Sequence, residues 1–172
     1  MDNKEYIFPI ILTCLILVII IYLFMNVKQP YIECNRSSTD EFGVKISEDL
    51  NVTLDGNKID QMTLVKSIIL PEKYLQDDTY LDSIQYALKE SYAYLGKSDF
   101  KVSKSEDRVI ARVQISDDET IILNNIDFIS SDLKIKINPN TKSSDVVALK
   151  IGDQYTEGEL MKRMSNNGYS CK

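Results

Sequence analysis

The sequence predicts an α+β protein: an N-terminal transmembrane helix followed by one small domain with an antiparallel sheet, one main amphipathic helix and a short C-terminal helix. Three observations lead there. Residues 6–27 form an apolar run without a charge, strand-like alternation recurs on both sides of one long 3.6-residue period, and turn signals punctuate the rest. Strands and helices come in separate blocks instead of alternating as strand–helix–strand units, which points to α+β and not to a wound parallel sheet.

A tail of residues 1–5 precedes the run from Tyr6 to Val27, where nearly every position is Ile, Leu, Val, Phe, Tyr or Met. At about 1.5 Å per residue the run covers the roughly 30 Å hydrocarbon core of a bilayer. Pro9 falls in the first turn, where a missing backbone donor costs least. A cleaved signal peptide is the nearest rival. No small-x-small cleavage site follows the run, which ends Asn26-Val27-Lys28-Gln29-Pro30, so the reading is an uncleaved anchor over 6–27. Cys14 follows Thr13 and the apolar run continues well past it, so it reads as a thiol within the span and not as a lipidation site.

The domain then occupies residues 28–172, with no linker, low-complexity run or convincing repeat. Pro30 to Arg36 reads as an extended segment holding Ile32 and Cys34 on one side. Val44, Ile46, Leu50, Val52 and Leu54 alternate up to Asp55-Gly56-Asn57, a two-residue hairpin signal. A returning strand carries Ile59, Met62, Leu64 and Ile68 in a smeared alternation, and Pro71 closes it. From Thr79 to Leu95 the period becomes helical, with Leu81, Ile84, Leu88, Tyr92 and Leu95 on one face and Gly96 as the expected stop. Alternation resumes at Val109, Ala111, Val113 and Ile115, and again at Leu133, Ile135 and Ile137 before Asn138-Pro139-Asn140. Thr156-Glu157-Gly158-Glu159 matches the S/T-x-x-E capping box and opens a helix through Leu160, Met161 and Met164, ended by Asn167-Gly168.

Composition removes several function classes. Lys plus Arg total 20 against 26 Asp plus Glu, a net charge of −6, which disfavours a nucleic-acid partner bound by phosphate neutralisation. The chain has no histidine, which takes away the usual general base, the usual triad and most catalytic zinc sites. Three cysteines without histidine also leave a structural zinc short of ligands. No cofactor, metal or catalytic residue is assigned.

Chemical motifs can be weighed singly. Ser98-Asp99-Phe100-Lys101 and Ser131-Asp132-Leu133-Lys134 satisfy S-x-x-K, which places a lysine beside a nucleophilic serine only on a helix. Ser131 precedes an alternating strand and Ser98 follows the expected helix stop, so chance is the better account. Asp77-Asp78, Asp117-Asp118-Glu119 and the Asp55/Asn57/Asp60 group lack the alternation and the closing Glu of a calcium loop and read as solvated turns. Tyrosines number 10; Tyr86 and Tyr94 fall off the apolar stripe, which suits either recognition or amphipathic packing with the hydroxyl in water. Asn35-Arg36-Ser37 and Asn51-Val52-Thr53 are glycosylation sequons, meaningful only in a eukaryotic or viral source.

The order of a Tyr31 to Cys34 segment after a membrane signal, a hairpin, one amphipathic helix, alternating strands and a closing Gly168-Tyr169-Ser170-Cys171-Lys172 resembles an uncharacterised family of small membrane-anchored or lipoprotein-type extracytoplasmic domains of low-GC Gram-positive bacteria. The resemblance covers most of residues 31–172. It implies the topology, with no catalytic residues to carry over, and this chain has a full span where lipoprotein members have a lipidated cysteine.

Orientation is set by the cysteines. Lys4 before the span and Lys28, Arg36 and Lys45 after it lean against an extracytoplasmic domain, but long domains are translocated largely regardless of charge. Cys34, just past the span, and Cys171, next to last, form an even pair of the kind found in oxidising compartments. With Cys14 inside the bilayer, the expected disulfide joins Cys34 to Cys171; the alternatives are two unrelated thiols, or bonds to a partner protein. The expected function is a non-enzymatic binding or scaffolding module at the cell envelope, with the lipid bilayer and a protein as partners. An accessory subunit of a membrane complex and a serine-lysine hydrolase using Lys101 or Lys134 are the alternatives.

Overall fold

Strand β1 (Tyr31–Thr39) starts a meander with β2 (Lys45–Asp55) and β3 (Lys58–Ile69), each pair antiparallel. The computed structural model describes residues 15–17, 31–96, 99–116, 118–123 and 147–172. Asp40 shapes the β1–β2 connection, its Oδ1 accepting from the Phe42 and Val44 amides at 2.9 and 2.8 Å. The β2–β3 loop is the expected two-residue turn, Gly56-Asn57, and Gly56 takes φ +60°, a left-handed conformation that L side chains rarely adopt.

The smeared alternation of β3 has a structural cause. Thr53 pairs with Gln61 and Leu54 with Ile59, so Asp60 is an extra residue that bulges out. Ile59 and Met62 both face inward although they stand three positions apart. Beyond the bulge Met62, Leu64 and Ile68 keep strict period two against Val52, Leu50 and Ile46.

After a 3₁₀ turn at Glu72–Tyr74 comes helix α1 (Thr79–Tyr92), whose start is fixed by the Asp77 carboxylate accepting from the Thr79 amide at 2.9 Å. Its buried stripe is Leu81, Ile84, Leu88 and Tyr92, as the period predicts. The expected end at Leu95-Gly96 is corrected: the helix stops at Tyr92, and Gly96 is not in a left-handed conformation. The backbone tightens to i→i+3 bonds, Ala93 to Glu90 and Leu95 to Tyr92, which turns Leu95 into the core without a glycine.

Strand β5 (Arg108–Ile115) buries Val109, Ala111, Val113 and Ile115 and pairs with β3; β4 (Asp99–Lys104) pairs with its other side. Outside the sheet, β6 (Thr120–Leu123) and β7 (Val147–Lys150) form an antiparallel pair burying Ile121, Leu123, Val147 and Leu149. Helix α2 (Glu157–Ser165) opens with the expected capping box: the Glu159 amide donates to Thr156 Oγ1 at 3.3 Å and the Thr156 amide to the Glu159 carboxylate at 2.9 Å. It closes on a Schellman motif, with Tyr169 N donating to Met164 O, Gly168 N to Ser165 O and Gly168 at φ +81°. Two further residues, β8 (Ser170–Cys171), return to β1.

The described strands thus build a six-stranded sheet in the order β4-β5-β3-β2-β1-β8 beside the two-stranded β6-β7 pair. One face of the large sheet is packed under α1, α2 and β6-β7 in a continuous core, and the other carries mostly Ser, Thr, Asn, Gln and charged residues, with Tyr31, Val65, Ile69 and Ile110 among them. This is the α+β domain with an antiparallel sheet and few helices that the pattern predicts. The span over 6–27 and Cys14 lie outside the described residues except for Leu15–Leu17, which are helical; among the described residues no helix is long and apolar enough to cross a membrane. The expected strand through Leu133, Ile135 and Ile137, together with Ser98, Ser131, Lys134 and Asp117, also lies outside them.

Candidate functional site

Strand register places Arg36, Glu48 and Lys66 in one cross-strand row on the inner face of β1, β2 and β3, with Tyr169 next to Arg36 just before β8. Glu48 and Lys66 are 2% and 3% exposed, at positions that in a plain alternating strand would be apolar. A buried carboxylate is costly unless both oxygens are satisfied, and here both are. Lys66 Nζ reaches Oε1 at 2.5 Å, while Oε2 receives Arg36 Nε at 3.1 Å and the Tyr169 hydroxyl at 2.6 Å. Arg36 also lies over the Tyr169 ring, 4.5 Å from its centroid, and donates to the Asn167 carbonyl at 3.3 Å.

Burial pushes the Glu48 carboxyl upward, but the Lys66 and Arg36 cations outweigh it and hold the group below the usual glutamate range. Burial lowers Lys66, and its attraction to Glu48 offsets this only in part, since one carboxylate serves two cations. Tyr169 is raised, first by burial and then by the adjacent Glu48 charge. Both Glu48 oxygens are thus engaged, Oε1 by Lys66 and Oε2 by Arg36 and Tyr169. The row ties three strands and the C-terminal segment together.

One row along, Cys34 faces Cys171 across β1 and β8, with the sulfurs 1.97 Å apart and a sequence separation of 137. The expected pair is thus brought to disulfide distance. Beside it Glu33 and Lys172 exchange two backbone hydrogen bonds of 3.1 and 2.9 Å and a side-chain ion pair of 2.8 Å. Disulfide, ladder and the Tyr169–Glu48 bond together latch the chain end onto the edge of the sheet.

On the outer face at this edge lies a groove of about 310 Å³ lined by Glu33, Cys34, Asn35, Asp49, Asn51 and Lys172. The alternation that turns Ile32, Cys34, Leu50 and Val52 inward turns Glu33, Asn35, Asp49 and Asn51 outward. Both sequon asparagines line it. Its hydrogen bond to Lys172 holds Glu33 below the usual carboxylate range. The lining offers carboxylates, amides and one ammonium, a set for hydrogen bonding to a polar partner surface.

Other residues singled out from the sequence are dispersed. Lys101 is exposed on β4, away from any core position. Asp55, Asn57 and Asp60 sit exposed at the hairpin tip and bulge, and Asp77 accepts from the Thr79 amide at the start of α1. Tyr86 is 67% exposed; Tyr94 is 49% exposed and its hydroxyl accepts from the Ile122 amide at 3.1 Å, tying the turn after α1 to β6. The charged row escaped the sequence reading, because charge reads as exposure and because the bulge hides the register: without Asp60 bulging, Glu48 would face Val65. The chain was compared with family models, curated proteins and solved structures, and none matches.

Proposed function

We propose that this chain is a single-pass membrane protein whose domain, residues 28–172, works outside the cytoplasm as a non-enzymatic binding or scaffolding module at the cell envelope. The observation that carries the reading is the Cys34–Cys171 pair at disulfide distance, since structural disulfides persist in oxidising compartments and are rare in the cytosol. The apolar run over 6–27 and the resemblance to small envelope domains of low-GC Gram-positive bacteria support it. The lack of histidine and the full engagement of Glu48 by Lys66, Arg36 and Tyr169 favour binding over catalysis.

The polar groove at the β1–β2 edge is the surface through which a protein partner is recognised in this reading. Protease shaving of intact cells tests the topology: the domain should be digested without lysis, and survival until lysis reverses the orientation. Crosslinking in membranes tests the binding role: Asp49→Arg should lose the crosslinked partner while melting like the parent, because Asp49 is exposed on the groove and outside the core. Unchanged crosslinking in that variant would place the partner surface elsewhere.

A further inference from the structure

We propose that the partner recognised at this surface is a second copy of the chain, docked outer sheet face to outer sheet face about a two-fold axis parallel to β3, with Asp49 of each copy opposite Arg112 of the other. The proposal rests on the reading of the Asp49 groove as a protein-docking surface and names its occupant. In the order β4-β5-β3-β2-β1, β3 is the middle strand. Register sets the outer side chains in rows across these strands: Asn35, Asp49, Val65, Arg112 and Lys101 form one, and Ser37, Ser47, Ser67, Ile110 and Ser103 the next. Among the described elements α1, α2 and β6-β7 all pack on the inner face, so these rows stand clear of them. Asp49 and Arg112 are both exposed, and the half-buried Val65 lies between them.

Charge complementarity selects the axis. A two-fold axis along β3 lays each row of one copy on the same row of the other in reverse, so that β3 faces β3, β2 faces β5 and β1 faces β4. Val65 then meets Val65, Asp49 meets Arg112 twice, and Asn35 meets Lys101. An axis across the strands through the Val65 row would instead set Asp49 on Asp49 and Arg112 on Arg112. It would also start β1 from opposite ends of the pair, whereas the axis along β3 starts both copies at one end, as two anchors over 6–27 in one bilayer require. Two packed sheets keep their strands within about 30° of each other, so the matches are closest near the axis. Like charges meet only at the corners, Glu33 opposite Asp99 and Lys45 opposite Arg108, where Glu33 is already paired with Lys172 at 2.8 Å and Arg108 with Asp107 at 2.7 Å. Four strand spacings of about 4.8 Å by eight residues of about 3.3 Å give about 500 Å² per copy, and the pair reaches the roughly 1,000 Å² that a specific interface needs.

The test uses the full chain in detergent micelles, its protein mass read by light scattering and native mass spectrometry. The parent should carry the mass of two chains. Asp49→Arg sets Arg on Arg112 and Arg112→Asp sets Asp on Asp49, so in each variant alone the dimer should weaken at least about tenfold. Mixing the two single variants should restore a heterodimer, because the two-fold arrangement then pairs Arg with Asp at both contacts; the double variant should dimerise like the parent. Hydrogen exchange across the β2–β3 ladder checks that each variant is folded, and the double variant decides should a single one fail. A monomeric parent overturns the proposal. So does a dimer that persists in both folded single variants, since its contact then lies elsewhere, and so does a mixture that stays monomeric. If the parent is monomeric while Asp49→Arg still loses a crosslinked protein in membranes, the docking surface stands and its occupant is a different protein.

Discussion

Glu48 is the residue on which the inner face turns. Glu48→Ala removes the carboxylate shared by Lys66, Arg36 and Tyr169, and breaking a buried ion pair from one side costs about 3–5 kcal/mol. Replacing both, Glu48→Leu with Lys66→Met, should cost far less, because Arg36 is 18% exposed and can turn its guanidinium to water. Chemical denaturation of the two variants separates a row that specifies register from one that supplies net stability. The row also sets an acid limit. Glu48 is held below the ordinary glutamate value of 4.5, so its contribution is present above that value and is lost as pH falls through the lower folded value. The melting temperature of the parent should therefore fall more steeply below about pH 4.5 than that of Glu48→Gln, and parallel curves would show that Glu48 is not the group responsible. None of this was legible in the sequence. Residues such as Leu50, Leu64 and Leu88 announce their burial by period, whereas a charge at an inward position announces nothing until its partners are placed.

Helices and the long strands were legible where local chemistry and period agree. Thr156, Glu159 and Gly168 mark α2 because capping box and Schellman motif are local hydrogen-bond patterns. Thr156→Ala should cost about 1 kcal/mol, read by thermal or chemical melting, since the Glu159 amide loses its acceptor. In α1, Leu88→Asp puts an unpaired charge on the stripe facing β4 and β5 and should cost about 3 kcal/mol or more; Tyr86→Asp on the solvent side should be mild. Equal melting of the two would mean that the buried face is wrongly assigned. Strands β4, β6, β7 and β8 were not foreseen for a shared reason. Each is six residues or fewer, too short for period two to stand out, and each exists because a neighbour supplies its hydrogen bonds. The end of α1 was misplaced because Gly96 looks like a stop, while the actual stop is an i→i+3 tightening that any residue can make.

At the scale of the molecule, the sheet has two edges to protect. On β4, Lys101 and Lys104 discourage strand addition and Gln85 of α1 donates to the Val102 carbonyl at 3.4 Å; on β1, the chain's own end covers part of the edge. A two-residue strand has little hold of its own, and the exposed Glu33–Lys172 pair adds little. The covalent bond is therefore what keeps this closure permanent. With a sequence separation of 137 between the cysteines, the chain-entropy model assigns the bond about 5 kcal/mol of stabilisation. Reduced protein should accordingly unfold at markedly lower denaturant than oxidised protein, and coincident curves would deny the bond that role. The pair is also the ground on which the domain is proposed to work outside the cytoplasm, so its state in the living cell is the most direct test. Cells are quenched in acid, free thiols are alkylated, and the protein is digested without reduction for mass spectrometry. The account predicts a single linked species joining the Cys34 and Cys171 peptides. Recovery of both cysteines alkylated, in protein that is otherwise folded and membrane-bound, would contradict it.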